Sequence, residues 1–78
     1  MADTNPRIPP QNTEAERALL GSIMLKPDGI HEVTDLISPD SFYVGKNRVI
    51  YRAMIELASA GSPIDLLSVA NRLKELRE

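Results

Sequence analysis

The sequence predicts an all-α fold, a small helical bundle of four principal helices plus a short helical turn. Three observations carry that expectation. Apolar residues recur at helical spacing, most clearly Ile50, Ala53, Met54, Leu57 and Ala58 at i, i+3, i+4, i+7 and i+8. Capping and stop signals made of Ser, Thr, Asp, Pro and Gly separate these runs, although the last has a start signal alone. No window alternates convincingly as a strand.

The stretch from Ser38 to Gly61 holds every aromatic residue, Phe42, Tyr43 and Tyr51, and is the expected centre of the core. Ser38-Pro39-Asp40 reads as a helix start with a Ser N-cap, followed by a short turn carrying Phe42 and Tyr43. Gly45 permits a break, and one long helix is expected from Lys46 to Ala60, with Val49 widening its apolar stripe. Gly61 ends it, because Gly takes the left-handed C′ conformation without a Cβ penalty. Arg48, Arg52 and Glu56 share another face at helical spacing and are expected in solvent.

With 78 residues, the chain supports one domain at most, and a core that small is marginal without staples. It has no cysteine and one histidine, so disulfides are excluded and a structural metal is not expected. That usage is compatible with a reducing cytoplasm. A net charge of −2 argues against a general nucleic-acid or anionic-membrane surface. No apolar run is long enough to span a bilayer, and the N-terminus lacks the order of a signal peptide.

Residues 1–12 read as an extended arm, since Pro6, Pro9 and Pro10 oppose regular helix, with Ile8 able to pack on the domain. Thr13 and Glu16 have the spacing of a capping box opening the first helix. Glu14 and Glu16 are not read as a catalytic pair, because residues two apart on a helix point to different sides. The run from Ala18 to Leu25 is apolar nearly all round, which implies deep burial or a second partner surface. Ala18, Gly21 and Ser22 form a smooth patch at i, i+3 and i+4. There the Lys46–Ala60 helix is expected to approach, with Tyr51 or Met54 over the glycine. On that packing, Gly21→Leu overpacks the contact. Pro27 ends the helix, and a short amphipathic one follows from Asp28 to Ile37 with Ile30, Val33, Leu36 and Ile37 inward.

Asp65 is expected to cap the last helix, whose stripe is Leu66, Ala70 and Leu73, supported by Val69, Leu67 and Leu76. Asn71, Arg72, Lys74, Glu75 and Arg77 are expected to face water. That helix has no stop signal, so the architecture is expected to continue beyond it, with Leu73 and Leu76 as interface candidates beside Ala18, Gly21 and Ser22.

No phosphate loop, dinucleotide fingerprint, nucleophile elbow or nucleophile–His–carboxylate set is present, so no catalytic, cofactor or metal residue is assigned. His31 and Asp35 stand at i, i+4, but two ligands without a third make a poor metal site. The last two helices allow a small helix-turn-helix regulator as the alternative reading, with Asn71, Arg72, Lys74 and Arg77 on DNA. The acidic balance, the intervening Glu75 and Glu78 and the long turn from Ser59 to Asp65 weigh against it.

Three segments taken in order resemble the N-terminal domain of bacterial replicative DNA helicases, the DnaB-type hexameric motors. They are Pro10 to Met24, Phe42-Tyr43 followed by Asn47 to Met54, and Gly61 to Val69. The resemblance covers about Ile8 to Leu76. It implies a non-catalytic all-α head over 13–78, followed in that family by a helical hairpin, a linker and a RecA-like ATPase domain. It further implies assembly into a cytoplasmic hexamer, contact with primase, and a helicase loader as a further candidate partner. ATP and Mg belong only to the motor, beyond residue 78. Position 47 departs from the family pattern, which often has His there. The sequence stops short of the hairpin that the family uses for pairing.

Overall fold

The computed structural model describes residues 12–76, which form α1 (Thr13–Leu25), α2 (Ile30–Leu36), α3 (Gly45–Ser59) and α4 (Leu66–Leu76). Single 3-10 turns at Pro27–Gly29 and Pro39–Ser41 precede α2 and α3. The four helices and the turn before α3 are as the sequence predicts. The turn at Pro27–Gly29 is additional and takes the first residues of the expected Asp28–Ile37 helix, so that α2 starts at Ile30. The extended arm, apart from Asn12, and the last two residues lie outside the described residues.

The α1 and α3 helices lie side by side and run the same way. Glu16 reaches the start of α3, while Met24 meets Ala58 and Gly61 in one cleft at the other end. The α4 helix returns along α3 in the opposite direction, so that Leu73 and Leu76 lie beside Lys46, Val49 and Ile50. The core between them is built from Leu20, Ile23, Ile30, Phe42, Tyr51, Met54, Ile64 and Val69.

Tyr51 holds the middle of this core with no solvent access. Its ring lies 5.0 Å from that of Phe42 at 42°, a tilted geometry that suits two aromatic quadrupoles. Its hydroxyl donates to the Ile37 carbonyl at 2.7 Å, so the one polar atom on a buried ring is satisfied. The buried line of α3 is Asn47, Tyr51 and Met54, joined by Ala53. The expected stripe is therefore rotated towards Tyr51, leaving Ile50, Leu57 and Ala58 half-buried and Val49 at the edge.

Several local expectations are corrected. Asn12, not Thr13, caps α1, its side-chain oxygen accepting from the Ala15 N–H at 3.0 Å. Ser38 makes no side-chain cap; its hydroxyl stands 3.5 Å from that of Ser41. Gly45 is the first residue of α3 and not a break before it. Leu36 is 60% exposed because the chain leaves the helix at Ile37, whose extended backbone turns that side chain inward instead. Arg48 is not a solvated residue, since it donates to the Phe42 carbonyl at 2.8 Å.

On α4 the expected stripe is displaced. Val69 is buried and Leu73 half-buried, whereas Leu66, Leu67 and Ala70 are exposed. Val69, Arg72, Leu73 and Leu76 are spaced i, i+3, i+4 and i+7, one helix face. Turning that face to α3 lets Arg72 reach Glu56 through its Nε at 2.8 Å and also hold Glu75 at 2.7 Å. The Asp65 cap is present, accepting from the Ser68 N–H at 2.8 Å.

Two glycines separate what geometry demands from what it merely allows. Gly61 has φ 72° and closes α3: its N–H meets the Ala58 carbonyl and the Ser62 N–H meets that of Leu57, the paired bonds of a Schellman ending. Gly21 is the reverse case. A Cβ built there meets nothing within 4 Å, and Ala18, Gly21 and Ser22 are all exposed. The close approach of α3 to this patch is thus overturned: Leu20 and Ile23 face the core, which turns Gly21 outward.

Opposite outcomes follow at the two positions. Gly21→Ala is expected to stabilise by about 0.8–1.0 kcal/mol through helix propensity, and Gly21→Leu to be tolerated. Gly61→Ala is expected to destabilise by about 1–2 kcal/mol through left-handed strain. Urea denaturation of the variants beside the parent measures all three.

Candidate functional site

Among the described residues the most deeply buried charge is Glu16, the fourth residue after the Asn12 cap of α1, where no part of it reaches solvent. Helix geometry places it on the same face as Leu20 and Ile23, which carry it inward. One carboxylate oxygen accepts from the Tyr43 N–H at 2.6 Å. The other accepts from the Val44 N–H at 3.2 Å and the Asn47 side-chain amide at 2.8 Å. Val44 is the residue preceding α3 and has no oxygen to cap it. A carboxylate from another helix therefore does that work, and it also complements the positive end of the α3 dipole.

Arg48 closes the arrangement from the far side, its guanidinium donating to the carbonyl of Phe42. The Tyr43 carbonyl lies 3.4 Å from the same nitrogen. The 42–44 backbone is thus held at both its N–H and carbonyl groups, between an anion on α1 and a cation on α3. Burial pushes the Glu16 carboxyl up, but bonds from Asn47, Tyr43 and Val44, with the Arg48 charge nearby, outweigh it. The group is held below its ordinary value. The expected capping box is corrected accordingly: Glu16 turns away from its own helix because the donors at Tyr43 and Val44 would otherwise be left unpaired.

This clamp is structural, and it fixes one side of the second feature. Between α3 and α4, Lys46, Val49, Ile50, Leu73 and Leu76 line an open groove of about 480 Å³, apolar apart from the lysine. The interface candidates Leu73 and Leu76 therefore come together here, the first half-buried and the second 40% exposed. Ala18, Gly21 and Ser22 lie elsewhere, on the outer face of α1.

Among the described residues, no group of three or more His, Cys, Asp or Glu side chains is placed to hold a metal ion, and His31 and Asp35 are exposed. No helix among them is long and apolar enough to cross a membrane. Of the residues a helix-turn-helix reading needs, Arg72 is already engaged by Glu56 and Glu75. Asn71 and Lys74 remain exposed.

Sequence reasoning did not find the clamp, although a signal exists. Glu16 precedes Leu20 and Ile23 by four and seven residues, and Asn47 stands in the same relation to Tyr51 and Met54. A polar residue at an apolar position of a helical stripe needs a buried partner, and here each is the other's.

The family model for the DnaB-like helicase N terminal domain matches residues 8–78. The chain belongs to that family. It is 45% identical over 71 residues to the replicative DNA helicase DnaB of Synechocystis, a match covering 91% of this chain and 8% of that protein. It is 44% identical over 69 residues to the replicative DNA helicase DnaC of Bacillus subtilis, covering 88% of this chain and 15% of that one. The Geobacillus stearothermophilus DnaB is 39% identical over 67 residues, again 15% of its length. The chain thus spans a small part of the curated relatives it matches. No solved structure matches it. Two of the three segments that carry the helicase-domain resemblance are joined by the clamp, with Glu16 in the first and Tyr43, Asn47 and Arg48 in the second.

The clamp has a pH signature. A folded value below the unfolded one means its contribution is complete above the unfolded carboxyl value, about 4.3, and is lost as pH falls through the folded value. Glu16→Gln is expected to lower stability at neutral pH by about 1–3 kcal/mol, since an amide presents one donor where two acceptors are needed. The variant is then expected to lose less stability than the parent below about pH 4.3. Asp65, also held low by its Ser68 bonds, contributes equally to both proteins, so the difference between their urea curves from pH 7 to 3 isolates Glu16.

Proposed function

We propose that this domain is a non-catalytic assembly and partner-docking head of a replicative DNA helicase. In that role it supports ring formation and primase contact during DNA replication in the cytoplasm. The observation that carries the reading is the apolar groove ending in Leu73 and Leu76, in a domain of the helicase N-terminal family. Its walls supply apolar area for association, and Lys46 supplies the single charge at its margin. The occupant we assign to it is the helical hairpin that the family resemblance places after this head. On the family resemblance, two such protomers pair through that hairpin and the heads form a collar on the hexameric ring. ATP and Mg chemistry is assigned to the motor domain of the longer protein and not to this head.

Association and activity measurements test the proposal. A longer version that includes the hairpin is expected to form dimers at micromolar concentration in sedimentation velocity. Leu76→Lys in that version is expected to weaken the association at least tenfold while the helices remain folded. A monomeric, fully helical longer version removes the assembly role. Residues 1–78 are expected to hydrolyse no ATP and to bind duplex DNA only weakly and without sequence preference, because so few phosphates can be neutralised. Tight, strongly salt-dependent binding to one duplex site would restore the helix-turn-helix reading.

A further inference from the structure

We draw no further inference here: the strongest candidate, the apolar groove between α3 and α4 lined by Lys46, Val49, Ile50, Leu73 and Leu76, belongs to the assembly role already proposed, and nothing in the structure shows what else covers it.

Discussion

A carboxylate without solvent access is an expensive component of so small a domain, and the position of Glu16 fixes how the other parts meet. Its desolvation is offset only if both oxygens find donors, and the donors they find are two backbone amides and one side-chain amide. Because two of those amides precede α3, the bond network sets the α1–α3 register as well as the path of the loop. An apolar contact between the same helices would tolerate sliding by a fraction of a turn. Hydrogen bonds to three fixed donors do not.

The aromatic centre depends on that register. Phe42 leads directly into the clamped backbone of Tyr43 and Val44, so the ring that meets Tyr51 is positioned by the anion on α1 and the cation on Arg48. Tyr51 then ties the chain end of α2 through the Ile37 carbonyl. One polar network and one aromatic pair thereby connect α1, the turn before α3, α3 itself and the exit from α2. The α4 helix joins by other means: Val69 in the core, and Arg72 bridging Glu56 and Glu75 at the surface. Such an exposed bridge is worth little, so the attachment of α4 rests mainly on apolar contact.

The helices were legible in the sequence because their signals are local. Proline, glycine and aspartate at fixed offsets ended or capped α1, α3 and α4 close to where the structure ends or caps them. Which way each helix faces was less legible, because a broad stripe such as Leu66, Leu67, Val69, Ala70 and Leu73 admits more than one rotation. The choice on α4 is made by long-range packing of Val69 and Leu73 on the core, and it brings Arg72 to Glu56, sixteen residues away. The outward position of Gly21 is hidden for the same kind of reason. Its helix is apolar nearly all round, and periodicity cannot say which side of such a helix meets the core. The capping-box spacing pairs Glu16 with the nearest donors, those of its own helix, whereas the donors it serves lie 27 and 28 residues on.

The exposed apolar residues acquire a pattern once the polar accounts are closed. Among the described residues no buried side-chain nitrogen or oxygen lacks a partner, so the interior leaves no polar group that awaits a ligand. What stays unsatisfied is apolar and lies outside: Val49 and Leu76 at one end of the α3–α4 pair, Leu66 and Leu67 at the other, and Leu25, Leu36 and Tyr43 elsewhere on the surface. Isolated exposed leucines are ordinary on a small domain. A groove with four apolar walls is different, since each wall already has a neighbour and a partner need supply only the remaining side. The folding of this domain is thus governed by a buried anion that leaves little freedom in register. Association at the groove would draw instead on apolar area, where affinity follows from packing quality more than from area alone.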